Sequence, residues 1–149
     1  MYKTILITTD GSDVARRGVD HGINLARSLG ARVTVLTVTE PFPFHASPAG
    51  FGWVPTQADI EGYEKAQSES AKAILADAQA AAAKLGVEVE TVHVADARPA
   101  ETIIATARER GSSLIVMGSH GRRGIERLLL GSQTSEVLTS SHIPVLVVR

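Results

Sequence analysis

The chain is predicted to fold as an α/β domain with a doubly wound, five-stranded parallel sheet. Short apolar, β-branched runs alternate with longer segments in which apolar residues recur every three or four positions. Glycine or a helix-capping residue stands at many of the boundaries between them. The order is strand–helix repeated four times and closed by a fifth strand, which favours a parallel sheet with helices on both faces. The 149 residues suit a single domain over residues 1–149.

Two strands and one helix are predicted in the first forty residues. Residues 3–9 and 32–39 are the apolar, β-branched runs. Between them a helix begins after Ser12 or Asp13, either of which can cap it, and ends at Gly30. Gly18 and Gly22 lie on its inner face and predict close packing on the sheet, at a cost of up to about 1 kcal/mol each in helix propensity. The apolar residues of that face are Ala15, Val19, Ile23 and Ala26.

The remaining elements follow from the same signals. A long Ala-, Glu-, Lys- and Gln-rich helix is predicted over residues 58–85, and Gly86 stops it. A third strand follows over residues 87–94, and Pro99 suits the first turn of a third helix that ends at Gly111. Residues 114–117 and 143–148 are the last strands, with a short helix over 133–140. The predicted inward residues are Ile74, Ala78, Ala81 and Leu85 in the second helix and Ile103, Ile104 and Ala107 in the third.

Composition excludes several classes of protein. The net charge is −1 and no basic run is present, so we expect neither a nucleic-acid partner nor an anionic membrane surface. No cysteine is present, which excludes disulfides, thiolate nucleophiles and zinc–thiolate sites. No apolar stretch approaches about 18 residues, and the N-terminus lacks the pattern of a signal peptide. The expected location is therefore the cytoplasm.

A glycine-rich loop, GSHGRRGIERLLLGS over residues 118–132, is the most informative motif. Gly118, Gly121 and Gly131 leave backbone N–H groups uncovered by side chains, and the last of them opens a helix. Bare amides and the positive end of a helix dipole are a common way of holding phosphate, and Arg122 and Arg123 add positive charge. The alternative is a β–α turn without a ligand.

Single polar residues near the loop each allow two interpretations. Asp10 could bind ribose hydroxyls or a magnesium ion, or it could simply form an Asx turn in Asp-Gly-Ser. Ser132 could donate to phosphate and also serve as an ordinary N-cap. His120 could contact phosphate or a nucleophilic water, or be an exposed turn histidine. The histidines show no metal-ligand spacing, so no metal site is predicted from them.

Residues 41–55, PFPFHASPAGFGWVP, have neither helix nor strand periodicity. The segment contains all three Phe and Trp53, the only tryptophan. Loops of this length are usually functional or mobile. It could fold over a ligand as a lid, or pack as an apolar flap on the second helix or on a partner subunit.

Other nucleotide-binding motifs fit less well. A P-loop would need a lysine before Ser132, and a dinucleotide fingerprint would need further glycines beside Gly11. A phospho-receiver domain would use Asp10 with a lysine near the last strand, where the chain has none.

Three segments together resemble the universal stress protein family, in its ATP-binding branch. They are the loop spacing Gly-x2-Gly-x9-Gly-Ser, the segment TDGS at 9–12, and the closing strand 143–148. The resemblance covers nearly the whole chain and is weakest between residues 41 and 57. It implies the strand order 3-2-1-4-5, which puts a switch point between strands 1 and 4, where ligands of open α/β sheets bind. It also implies that the backbone of Val38 pairs with the adenine edge.

The chain is therefore expected to bind ATP, and Asp10 is the one candidate ligand for an accompanying Mg²⁺. It is expected to act as a nucleotide-responsive regulator of the stress response, with an unidentified protein partner. A slow ATPase or phosphotransferase using the same pocket is the alternative, although no general base stands beside the loop except Glu126, which we expect on its outer side. A dimeric scaffold whose glycine loop is only a turn is a third possibility. The candidate nucleotide-binding residues are Thr8, Thr9, Asp10, Val38, Met117, Gly118, Ser119, His120, Gly121, Arg122, Arg123, Gly131, Ser132, Gln133 and Thr134.

The last strand predicts a homodimer. Residues 144–148 would form an edge strand in the order 3-2-1-4-5, and no lysine or glycine interrupts the apolar run from Val145 to Val148. An exposed edge of this kind is a template for pairing with another chain. A two-fold-related copy would close the assembly at two subunits.

Overall fold

A computed structural model describes residues 1–44, 52, 54–121 and 129–149. Strands and helices alternate throughout this part of the chain, as the sequence predicts. The elements are β1 (Thr4–Thr8), α1 (Asp13–Leu29), β2 (Arg32–Val38), α2 (Gln57–Lys84), β3 (Val89–Val94), α3 (Pro99–Glu109), β4 (Leu114–Gly118), α4 (Ser132–Ser140) and β5 (Val145–Val148).

The five strands form one sheet in the order β3-β2-β1-β4-β5, and every neighbouring pair is parallel. The predicted fold class and the strand order implied by the family resemblance are both confirmed. Central strand β1 pairs with β2 through Ile5 and Val33, and with β4 through Ile5 and Leu114. Strands β2 and β3 are added on one side of β1, and β4 and β5 on the other. The carboxyl ends of β1 and β4 therefore flank the switch point of the sheet.

Each face of the sheet has its own apolar cluster. Ile5 and Ile7 of β1 pack with residues of α1 and α2, whereas Leu6 packs on the opposite face with residues of α3 and α4. This alternation follows from the two-residue period of a strand. Helices therefore cover both faces, and no helix in the described ranges is long and apolar enough to cross a membrane.

Helix α1 packs against the sheet through two glycines. Its predicted inner face is buried, and the Ser12 hydroxyl caps it by accepting the Ala15 N–H at 3.2 Å. A Cβ atom placed on Gly22 would lie 2.6 Å from Ile7 Cδ1, and one on Gly18 would lie 3.3 Å from the Gly118 nitrogen. The two glycines thus allow the close approach that the sequence predicts, Gly22 beside Ile7 and Gly18 beside Gly118 at the end of β4.

The long helix α2 is rotated relative to the predicted face. A capping box of Thr56 and Asp59 begins it. Its buried residues are Ala71, Leu75, Ala78 and Ala82, so only Ala78 of the predicted set is fully buried. The prediction was wrong because an alanine-rich helix offers apolar residues on several adjacent faces, and periodicity alone does not choose among them. Ile74, Ala81 and Leu85 flank the buried face instead.

Candidate functional site

A cavity of about 380 Å³ opens at the carboxyl ends of β1, β2 and β4. This volume falls in the range of small-molecule binding pockets, and the location is the switch point of the sheet. Residues of α2, of α3 and of the first turn of α4 also form its walls. The site is therefore assembled from segments that are far apart in the sequence.

The end of β1 supplies three of the lining residues: Thr8, Thr9 and Asp10. The Thr9 N–H donates to the Leu36 carbonyl at 3.0 Å, which ties this end to β2. Asp10 Oδ1 accepts the Ser12 N–H at 2.9 Å. The Asx-turn interpretation of Asp10 is therefore correct, while the half-buried carboxylate also lines the cavity.

The glycines after β4 leave no room for side chains. A Cβ atom on Gly131 would lie 3.0 Å from His120 Cα, and a Cβ atom on Gly121 would collide with the Asp10 carboxylate. Gly131 has a φ of −60°, so it is needed for space rather than for a left-handed backbone. Its N–H donates to the Ser119 carbonyl at 2.8 Å and closes the glycine loop at its base.

The N-terminus of α4 faces the cavity without a side-chain cap. Gly131 is the N-cap, and no side chain in the described part of the chain accepts a hydrogen bond from the first turn. Ser132 is the first helical residue, so its interpretation as the N-cap is wrong. The first turn also contains no acidic residue. Its uncapped amides and the positive end of the helix dipole therefore make this end of the cavity attractive to an anion.

Two residues of that first turn use their side chains structurally. The Thr134 hydroxyl donates to the Gly118 carbonyl at 2.9 Å, which holds α4 against the end of β4. Gln133 Oε1 accepts the Ala100 N–H at 3.0 Å. Since Arg98, the N-cap of α3, makes no capping bond, the Gln133 side chain caps α3 from a neighbouring helix. Because both side chains bind protein atoms, the groups of these residues that remain for a ligand are mainly in the backbone.

The opposite wall, formed by α2, was not predicted. The residues that line the cavity from one face of this helix are Tyr63, Gln67, Ser70 and Ile74. The sequence signal was the three- to four-residue spacing of polar side chains in the first half of a helix whose second half is alanine-rich. Without the tertiary structure, such a stripe looks like an ordinary solvated face.

Threonines at the end of β2 connect the cavity to the neighbouring strands. The Thr37 hydroxyl donates to the Thr9 carbonyl at 2.9 Å, and Thr39 Oγ1 lies 2.9 Å from His93 Nε2. Burial, and to a smaller extent the nearby Lys72 charge, lower the pKa of His93 below its ordinary value. A neutral His93 is consistent with a structural bond to Thr39.

Most of the candidate residues lie together at the cavity. His120 is half-buried there rather than fully exposed. Ser119 is buried behind the wall: its N–H donates to the Val148 carbonyl at 2.7 Å, and its hydroxyl lies 3.1 Å from His120 Nδ1. Arg122, Arg123 and Trp53 lie outside the described residues, as does most of the proposed lid or flap. The lining candidates are Thr8, Thr9, Asp10, Val38, Met117, Gly118, His120, Gly121, Gly131, Ser132, Gln133 and Thr134.

Comparison with known proteins identifies relatives along the whole chain. The sequence model of the universal stress protein family matches residues 1–149. Universal stress protein MJ0531 of Methanocaldococcus jannaschii is 36% identical over 149 residues, which cover all of this chain and 83% of that protein. Universal stress protein UspA from Lactobacillus plantarum superposes with a TM-score of 0.81 at 25% identity, covering 99% of this chain and 98% of its own.

A third relative was solved with a nucleotide. A universal stress protein in complex with cAMP superposes with a TM-score of 0.73 at 27% identity, over 99% of this chain and 97% of its own.

The whole-chain family match, the identity to MJ0531 and the shared fold agree. The chain belongs to the universal stress protein family.

Proposed function

We propose that the cavity binds an adenine nucleotide and that the protein is a nucleotide-responsive regulator. The observation that carries the proposal is the meeting of three features in one cavity at the switch point. These features are the polar end of β1, the glycine-lined end of β4, and the uncapped N-terminus of α4. Topology and electrostatics thus favour the same place for an anionic ligand.

The order of the strands suggests how the nucleotide lies. Neighbouring strands are about 4.8 Å apart, so the ends of β2 and β4, on either side of β1, are separated by about 10 Å. A base beside Val38, a ribose beside Asp10, and phosphates at Gly118, Gly121 and the α4 amides would follow that line. The cAMP complex of a 27% identical family member supports a nucleotide at this fold.

The acidic side chains of the cavity fit a Mg²⁺ ion that arrives with the nucleotide, not one that is bound by the protein alone. No cluster of three potential metal-ligating side chains occurs among the residues that the structure describes. Magnesium bound to nucleotides usually retains waters and takes one or two protein carboxylates in addition to phosphate oxygens. Asp10 fits that mode as a single ligand, and it would then contribute more when the metal is present.

The proposal also covers the oligomeric state and the way in which the nucleotide signal reaches another protein. A homodimer through β5 would present two nucleotide sites on one particle, and a regulatory protein that distinguishes the occupied from the empty site would transmit the signal. The nucleotide can shift the protein between two conformations only if its affinity for one of them is higher than its affinity for the other.

The test begins with the protein as it is purified. Mass spectrometry of the small molecules released on denaturation should identify an adenine nucleotide, and calorimetry with ATP, ADP, AMP and cAMP should rank them. The absence of co-purified nucleotide, together with no heat of binding for all four, would contradict the proposal and favour the scaffold alternative.

Phosphate release distinguishes the regulator from a slow ATPase. We expect little turnover, because a positioned base is needed to activate water and the described part of the cavity offers only Asp10, Glu40 and His120 as titratable candidates besides Tyr63. Sustained multiple-turnover release of phosphate from ATP, lost in a site variant, would favour the enzyme.

A further inference from the structure

The α2 wall of the cavity contains a short hydrogen-bond relay. Gln67 Nε2 donates to the Tyr63 hydroxyl at 3.1 Å, and the hydroxyl oxygen lies 3.3 Å from the Glu40 carbonyl oxygen and 3.4 Å from that of Pro41, either of which can accept its single hydrogen. The Tyr63 ring also packs edge-on against Phe42, with centroids 5.3 Å apart. The relay therefore joins α2 to the segment that leaves β2, beside Val38.

The hydrogen bonds of the relay favour one orientation of the Gln67 amide. A carbonyl oxygen can only accept, so the single phenolic hydrogen of Tyr63 is directed to Glu40 or Pro41. The phenolic oxygen must then accept from Gln67, which requires the NH₂ group rather than the amide oxygen to face Tyr63. In the described part of the structure nothing donates to Gln67 Oε1. The relay thus leaves an oriented acceptor on a half-buried residue of the cavity wall.

We propose that Gln67 Oε1 is the specificity determinant for the base, and that it selects a 6-aminopurine over a 6-oxopurine; the inference rests on the proposed nucleotide site. The exocyclic amino group of adenine would donate to this oxygen. Hypoxanthine and guanine have a carbonyl at the same position, and two facing acceptors repel and remain unpaired. A site that offers a fixed hydrogen-bonding group discriminates strongly against an analogue lacking the complementary group.

The proposal assigns different tasks to the two side chains. Gln67 contacts the base, whereas Tyr63 is a positioning residue that keeps the amide from rotating. Tyr63→Phe removes the hydroxyl and retains the ring against Phe42. The freed amide can then rotate and offer its NH₂ group to a 6-oxopurine, so the Tyr63 variant should bind such a base better than the parent does.

The experiment compares ATP with ITP by calorimetry on the full chain. The parent should bind ATP at least about tenfold more tightly than ITP, the change expected from one mispaired buried polar contact. Gln67→Leu should reduce this ratio to within about threefold by weakening ATP. Tyr63→Phe should reduce it by strengthening ITP, a change that a loss of stability would not produce. Gln79→Leu, an exposed site on the same helix, is the matched control and should leave the ratio unchanged.

The possible failures are distinguishable. A parent that binds neither nucleotide overturns both the proposed function and this inference. A parent that binds ATP and ITP equally, or a ratio that survives Gln67→Leu, overturns the role of Gln67 and leaves the nucleotide site standing. Thermal unfolding of each variant without ligand verifies that the comparison is made on folded protein.

Discussion

At the scale of single residues, the cavity depends more on missing side chains than on reactive ones. A side chain at Gly121 would meet the Asp10 carboxylate, and one at Gly131 would meet the His120 backbone. The polar side chains nearby are mostly engaged with protein: Asp10 with Ser12, Gln133 with Ala100, and Thr134 with Gly118. Among the described residues, the backbone N–H groups in the first turn of α4 are therefore the main donors that the proposed anion would meet.

Gly131→Val should abolish ATP binding while the fold is retained. A Cβ atom already lies 3.0 Å from His120 Cα, so the branched side chain must displace the backbone that would contact phosphate. We expect affinity to fall by more than tenfold, or over about 1.4 kcal/mol. Ser132→Ala, the control that removes a hydroxyl without adding bulk, should weaken binding less. Calorimetry checks both, and equal affinity of Gly131→Val and the parent would show that the phosphate assignment is wrong.

Asp10→Ala should weaken nucleotide binding without abolishing it. The change removes one or two charge-assisted bonds, each of about 1.5–3 kcal/mol at most, and it also removes the acceptor for the Ser12 N–H. Asp10→Asn retains an oxygen for that N–H and loses the charge, which separates the turn from the ligand contact. The nucleotide affinity of both variants should depend less on magnesium than that of the parent. Affinities that do not change with the substitution or the metal would leave Asp10 as a turn residue alone.

At the scale of elements, helix packing on the sheet determines where the cavity walls stand. Glycines bring α1 close to the sheet, and the start of α1 meets the end of β4 through Val14 and Gly118. Helix α2 packs through small alanines in its second half, and its first half extends past the sheet as the polar cavity wall. Two glycines in these helices allow a direct test of packing.

Gly22→Ala should destabilise the protein, whereas Gly62→Ala should stabilise it. Alanine gains up to about 1 kcal/mol over glycine in helix propensity at either site. At Gly22 the new methyl group would lie 2.6 Å from Ile7 Cδ1, whereas at Gly62 it meets nothing within 4 Å. Overpacking costs about 1–3 kcal/mol, so the Gly22 variant should lose stability on balance. Urea denaturation measures both, and a gain in stability for Gly22→Ala would contradict the close packing of α1.

At the scale of the whole molecule, strand β5 has one edge that no strand of the described residues pairs with. It pairs with β4 on one side and lies at the end of the sheet on the other. The carbonyls of Pro144 and Val148 accept from β4 and the residue after it, so the backbone groups of Val145 and Val147 point outward, away from that ladder. This outward row is the surface on which we propose that a second copy pairs.

Val147→Pro should shift the protein from dimer to monomer without disrupting the β4–β5 pairing. Proline removes an outward N–H and places its ring at the free edge. Leu146→Pro, whose N–H faces β4, should instead destabilise the fold itself. Sedimentation at tens of micromolar measures the assembly, and circular dichroism checks that the Val147 variant remains folded. A parent protein that sediments as a monomer would contradict the proposed dimer.

The sequence alone determined the features that depend on local chemistry. Strand and helix order and the buried face of α1 follow from periodicity over a few residues, and the structure agrees. The cap of α1 was narrowed to Ser12 or Asp13, and the structure shows that it is Ser12. The two motifs around Asp10 and Gly118 could also be found in the sequence. Their meeting in one cavity depends on the strand order, which was expected from the family resemblance rather than from the residues themselves.

Only the tertiary structure decided which side chains face the cavity and which serve the fold. The Tyr63–Gln67 wall depends on how α2 is rotated against the sheet, and an alanine-rich helix does not specify that rotation locally. Gln133 caps α3 from a distance of 33 residues in the chain, and Ser119 turns away from the cavity toward β5. These roles arise from contacts between segments distant in sequence, because packing free energy is a property of the assembled faces rather than of any one segment.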